Sequence, residues 1–140
     1  MSEHRALHVD IISPEKPLYS GEALSVTATA HDGEVGLLPG HAPMVARLGI
    51  GEVRVKRGTL ANEVVDRFAI RQGFLQVAND RVVVLSEGAE ALKDLKGINP
   101  EDIERIQKEL SETTDAAERA KLQADLDWLK ACDRLLKQSD

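Results

Sequence analysis

The chain changes character once, near residue 88, and that change limits the folds open to it. All ten glycines lie at or before Gly97, and four of the five prolines lie at or before Pro43. Upstream, apolar and polar residues alternate. Leu24, Val26, Ala28 and Ala30 fall on one face and Ser25, Thr27 and Thr29 on the other, the period of a half-buried strand. The stretch GEVRVKRG (51–58) repeats the pattern, with Val53 and Val55 inward and Arg54 and Lys56 outward. Leu75 to Ala78, then Asn79-Asp80, then Val82 to Leu85 predicts a hairpin, because Asn and Asp tolerate the positive φ of a tight two-residue turn. Short antiparallel strands punctuated by Gly and Pro predict a β-sandwich or flattened barrel.

Downstream the period becomes helical. In Asn99-Pro100-Glu101-Asp102, Asn99 can cap, Pro100 suits the first helical position, and two acids favour the positive end of the helix dipole. Ile103, Ile106 and Leu110 follow at helical spacing. SETTD (111–115) breaks that stripe, and Asp115 can cap a second helix carrying Leu122, Leu126, Leu129 and Leu136. The expected architecture is a sandwich over residues 1–87, then a linker and an antiparallel two-helix hairpin over 88–140.

Composition removes several classes of function. Hydrophobic residues are 42% and charged residues 30%, ordinary globular usage, and aromatic residues are only 3%, too few for base- or sugar-stacking platforms. The net charge of -6 repels phosphate backbones, so no nucleic-acid partner is expected. No apolar run reaches the ~18 residues of a membrane helix, so no bilayer insertion is expected, and MSEHRALHVD has neither an apolar signal core nor an Arg-rich transit pattern. Cys132 has no internal disulfide partner and reads as a partly buried structural thiol in the second helix. The scattered histidines His4, His8, His31 and His41 lack zinc-ligand spacing. Gly49-Ile50-Gly51 lacks the third glycine and the following helix of a phosphate cradle, and reads as turn glycines. The acidic pairs Glu101/Asp102 and Asp125/Asp127 fit helix-start and solvated-face roles better than a catalytic dyad. Neither an active site nor a cofactor is expected.

The segment with most local information is GEVGLLPGHAP (33–43), with three glycines and two prolines in eleven residues. A backbone so constrained is either a sandwich corner or a docking surface. Here the sequence resembles the epsilon subunit of the F-type ATP synthase, in its bacterial or plastid form. LHVDIISPEKPLYSG (7–21) is similar to the family's opening strand and turn, GEVGLLPGHAPMVARL (33–48) to its most diagnostic loop, and FAIRQGFLQVANDRVVVLSEGAE (68–90) to its closing hairpins. The resemblance covers nearly the whole chain.

It implies a ten-stranded flattened sandwich followed by a helical hairpin, and a non-catalytic rotor subunit. The implied partners are the gamma shaft, the ring of c subunits and the alpha/beta catalytic head, at the cytoplasmic face of the bacterial membrane. It places Glu34 toward the polar loops of the c-ring and His41 near gamma. It also makes the hairpin a regulatory arm that restrains ATP hydrolysis, with Lys130, Arg134 and Lys137 meeting the beta subunits. Many members bind ATP through (I/L)-D-x-x-R-A with an upstream Glu. Glu90 matches that Glu, but the motif reads Ile98-Asn99-Pro100-Glu101-Asp102-Ile103, with Asn for Asp and an acid for Arg, so no ATP binding is expected. The other readings of the residues are a free-standing sandwich that binds another protein through a helical dimerisation arm, and a small hydrolase using His41 with Cys132.

Overall fold

The computed structural model describes residues 6–30, 33–59, 61–95 and 97–138, so His4 and His31 lie outside the described residues. The described residues divide into two compact units, Met1–Asp94 and Leu95–Asp140. In the first, strands β1 (Leu7–Ile12), β2 (Pro17–Ala23), β3 (Ser25–Ala30), β4 (Gly33–Leu37), β5 (Met44–Gly58), β6 (Glu63–Ala78) and β7 (Arg81–Ala91) precede a short 3-10 turn at Leu92–Asp94. The second holds α1 (Pro100–Glu112) and α2 (Ala116–Lys137).

The strands form one sheet in the order β2-β1-β7-β6-β5-β3-β4. The resemblance implied about ten strands, and the described residues form seven, because β5, β6 and β7 each run continuously through both halves of the sandwich. The inward face of each changes parity midway. In β5 it passes from Met44 and Leu48 to Val53 and Val55, in β6 from Phe68 and Ile70 to Leu75 and Val77, and in β7 from Val82 and Val84 to Ala89 and Ala91. Side chains alternate strictly along a strand, so such a change requires a bulge or bend. Register shifts fall at Ile70 to Gly73 between β6 and β7, and at Ala28 to Ala30 between β3 and β5. The sheet folds across this line, and both halves fill one core. Each fully buried Val, Leu or Ile there contributes about 1.5–3 kcal/mol.

Glycines occupy the fold line for steric reasons. Gly49 and Gly51 sit inside β5 at the bend, not in a turn as expected, and a Cβ on Gly51 would lie 2.5 Å from the Thr29 Cβ. A Cβ on Gly73 would lie 1.9 Å from the Leu85 carbonyl oxygen. Another difference from the expected all-antiparallel sheet is the pairing of β1 with β7, which is parallel from His8↔Arg81 to Ile12↔Leu85. The two strands come from opposite ends of the unit's sequence, so no tight turn dictates their direction. The Asn79-Asp80 turn has φ of 51° and 61°, the twist that a two-residue hairpin needs. β7 continues past residue 87, the expected end of the sandwich, to Ala91, and Leu92 beyond it is buried.

The helical unit follows the cap chemistry. Asn99 accepts from the Glu101 N–H at 3.0 Å with Pro100 at the first position, and Asp115 accepts from the Ala117 N–H at 3.3 Å. Ile106, Leu126, Ala131, Cys132 and Leu135 are its buried side chains. Leu135 rather than Leu136 takes the innermost place at the end of the stripe.

Replacing Gly73 by Ala is expected to cost about 3 kcal/mol, since the backbone oxygen of β7 leaves no room for the methyl group. Gly36→Ala, where nothing lies within 4 Å of the added carbon, serves as the control and should stay within about 0.5 kcal/mol. Thermal melts of the two variants, if indistinguishable, would show that the fold line is not the steric constraint described.

Candidate docking surfaces

Because the sheet turns its faces over at the fold line, it has two chemically different outer surfaces. The first lies on the outer side of the first half of β5, the second half of β6, the first half of β7, and β1. Ile12 pairs with Leu85, Leu85 with Phe74, and Phe74 with Arg47, so these four side chains form a row across four adjacent strands. Leu85 is 53% exposed and Phe74 55%, and Val45, two positions before Arg47 on the same face, is 67% exposed. Arg47, Gln72, Gly73, Phe74 and Glu87 line a shallow notch of about 280 Å³ in this face. An aromatic ring flanked by aliphatic residues and a guanidinium is the composition of a protein–protein hot spot. The reading of the sequence missed this row. Its signal was the unbroken apolar run at Val82 to Leu85, where a strand solvated on one side would show polar residues at alternate places.

The second surface is charged and lies beyond the fold line. Glu34 stands on edge strand β4 with its carboxylate 3.3 Å from Arg54 of β5. Arg54 also reaches Glu52 at 3.6 Å, and Glu52 takes Arg67 of β6 at 2.5 Å. Glu34 is thus the outer end of an alternating ion-pair row. His41 lies in the loop between β4 and β5, half-buried, with Nδ1 2.7 Å from the Ala42 carbonyl oxygen and its N–H donating to the Leu38 carbonyl. The neighbouring Gly40 N–H donates to Asp80 at 2.6 Å, which ties this loop to the β6–β7 turn. The Pro- and Gly-rich segment is therefore both an edge of the sheet and a tethered loop.

The hairpin separates the remaining expected site residues. Lys130, Arg134 and Lys137 are all exposed on one face of α2, and Lys137 is paired with Asp133 at 3.0 Å. Glu90 is exposed on β7 in the first unit, opposite Ala69, whereas Ile98, Asn99 and Asp102 belong to the second. Asn99 is engaged as the cap of α1, and Asp102 pairs with Arg105 at 3.5 Å. Helix α1 ends without a basic residue in its last turn. Arg119 of α2 supplies that cation, donating to the carbonyls of Leu110 at 2.6 Å and Thr113 at 3.0 Å.

Cys132 is buried in the helical unit and His41 belongs to the sheet unit. Among the described residues, no group of three or more His, Cys, Asp or Glu could hold a metal, and no helix is long and apolar enough to cross a membrane. Burial, followed by the charge of Asp66, pushes the Tyr19 phenol up, and the hydrogen bond and charge of Asp66 raise Arg57. Both shifts lead away from neutrality, the opposite of what general acid–base work requires.

The sheet unit thus carries an apolar outer row and a charged edge, and an amphipathic hairpin follows it in sequence. The model for the ATP synthase delta/epsilon chain β-sandwich domain matches residues 6–92. The chain is 44% identical over 91 residues to the ATP synthase epsilon chain of Anoxybacillus flavithermus, covering 65% of each chain, just under two thirds of that relative's length. It is 34% identical over 125 residues to that of Halalkalibacterium halodurans, covering 89% of this chain and 86% of the relative. Among solved structures it is similar, at a TM-score of 0.72 and 20% identity, to a chain of the Euglena gracilis mitochondrial ATP synthase, OSCP/F1/c-ring, covering 94% of this chain and 81% of that one. The chain belongs to the ATP synthase epsilon chain family.

Proposed function

We propose that this chain is the non-catalytic central-stalk subunit of a proton-translocating F-type ATP synthase, peripheral to the cytoplasmic face of a bacterial membrane. In this role it docks on the gamma shaft, rests on the c-ring and regulates hydrolysis by the alpha/beta head. The single observation that carries the docking role is the exposed row Ile12, Leu85, Phe74 and Arg47. A β-sandwich stable on its own core gains nothing by leaving a phenylalanine and a leucine side by side in water. Gamma is the proposed occupant of that face, with His41 at its border. Family membership supports the assignment, as does likeness to a chain described as central stalk/c-ring of the Tetrahymena thermophila synthase, with a TM-score of 0.62 at 10% identity. Glu34, on the opposite edge of the folded sheet, is the proposed c-ring contact.

Co-purification of the full chain with gamma tests the docking face. Phe74→Asp and Leu85→Asp are expected to weaken it by at least about 30-fold, as hot-spot truncations do, with melting temperature retained. Deleting residues 95–140 should leave it unchanged. Retention of gamma by both aspartate variants would overturn the assignment of this face, and capture of a second copy of the chain instead would favour a free-standing module.

The hairpin is the proposed brake. Its apolar stripe joins α1 to α2 in this structure and, in an opened state, would suit an apolar stripe on gamma, while Lys130, Arg134 and Lys137 would suit an acidic surface of the beta subunits. The Asp133–Lys137 pair weakens that attraction. Exposed charges are screened over ~8 Å at physiological salt, so restraint should weaken as salt rises. Reversal of the three charges, or deletion of residues 115–140, is expected to raise ATP hydrolysis by the assembled complex without loss of assembly. Equal rates in deleted and intact complexes at low and high salt would remove the hairpin from regulation.

Nucleotide is not proposed to set the hairpin's state. Asn99 is occupied as a helix cap, and Asp102 would repel a phosphate where the family motif has Arg. Calorimetric titration of the chain with ATP should give no saturable heat, and micromolar affinity would contradict this reading.

A further inference from the structure

We propose that Arg54 is the positioning residue of the Glu34 contact, which the row Glu34–Arg54–Glu52–Arg67 aims from inside the sheet. This rests on the reading of Glu34 as a docking contact. Glu34 is on the outermost strand with its side chain 63% exposed. Such a side chain, left alone, samples many rotamers, and ordering it against a partner costs conformational entropy. Arg54 changes that starting point. It sits on β5, two strands inward, with β3 between, and its guanidinium reaches over Thr27 and Thr29 to Glu34.

The guanidinium is itself held. Arg54 lies directly opposite Arg67 in the β5–β6 pairing, and two like charges in that relation repel. Glu52 resolves the conflict by giving one carboxylate oxygen to Arg54 Nε and the other to Arg67 Nε. Its side chain is only 13% exposed, and its backbone N–H donates to Thr29 Oγ1 at 3.2 Å. Thr29 in turn fills the space that a side chain on Gly51 would need. The inner end of the row is thus built into the fold line, and exposure rises outward from Glu52 through Arg54 to Glu34.

Geometry, rather than stability, is what this row supplies. Exposed ion pairs contribute little to folding, and the core lies on the other face of these strands. What the row determines is where one carboxylate stands on an edge strand that has no further strand to brace it. Arg54 uses a separate guanidinium nitrogen for each carboxylate, a two-pronged fixture that an ammonium group reproduces only in part.

The test uses the full chain, with two readouts. In the isolated chain, the order of the Glu34 side chain is measured by carbon-detected relaxation, alongside the melting temperature. In the assembled synthase in vesicles, proton-driven ATP synthesis is measured. Arg54→Ala is expected to disorder Glu34 without lowering the melting temperature, and to reduce synthesis by the same factor as Glu34→Ala. The double variant should be no worse than either single one, and Arg54→Lys should restore part of the loss. Unchanged Glu34 order in Arg54→Ala overturns the proposal however synthesis responds. So does a double variant whose loss is the product of the two, which would make Arg54 an independent contact, and so does a melting temperature that falls with synthesis. Lost Glu34 order in Arg54→Ala with full synthesis in Glu34→Ala would instead overturn the reading of Glu34 as a contact.

Discussion

Everything distinctive about this protein depends on the close passage of β6 over β7 at Gly73 and Leu85. At that point no side chain fits, the strands lose strict register, and the inward face changes parity. One hydrogen-bonded sheet can then fold over a single core without breaking into separate strands. The same change decides the outer surfaces. On one side of the line the outward positions carry Val45, Arg47, Phe74 and Leu85. On the other they carry Glu34, Glu52, Arg54 and Arg67. A flat sheet of the same sequence would set apolar and charged side chains on the wrong faces in one half or the other, because a shift of one residue reverses every side chain.

This arrangement separates stability from recognition. The buried cluster draws on all seven strands, β2 contributing Ala23 directly and Leu18 and Tyr19 as partly buried side chains packed against it. The outer surfaces contribute little to that cluster, so they are open to be shaped by partners. A Phe beside a Leu in water is costly unless covered, which suits burial in an assembly. An ion-pair row in water is nearly neutral in energy and suits orientation. The two surfaces therefore differ in the kind of contact each can make, and this difference underlies their proposed assignment to gamma and to the c-ring.

The helical unit follows another logic, in which the helix starts are capped locally and α1 and α2 are held together by their apolar stripes and by Arg119. Asn99 and Asp115 satisfy the starts of α1 and α2. The end of α1 has acids where a cation would be favourable, and Arg119 provides that cation from the next helix. Asn99 and Asp102, which stand where the resemblance implies a nucleotide motif, are engaged in capping and pairing.

Much of this was legible in the residues themselves. The change from period two to helical period placed the sheet before the helices, Asn79-Asp80 specified a tight hairpin turn, and Asn99 and Asp115 marked the helix starts, since each of these depends on neighbours within a few positions along the chain. The resemblance in residues 33–48 supplied the family. What the sequence could not decide was long-range. The strand count depended on whether β5, β6 and β7 break or bend at their glycines, which is settled by the Leu85 carbonyl and Thr29 from other strands. The parallel pairing of β1 with β7 joins residues more than seventy positions apart at no local signal's instruction. The docking row and the Glu34–Arg54–Glu52–Arg67 row each gather side chains from three or four strands, and only the registers of those strands bring them together. Local sequence determines conformation through short-range sterics and capping, whereas a surface is a property of how distant segments are laid side by side.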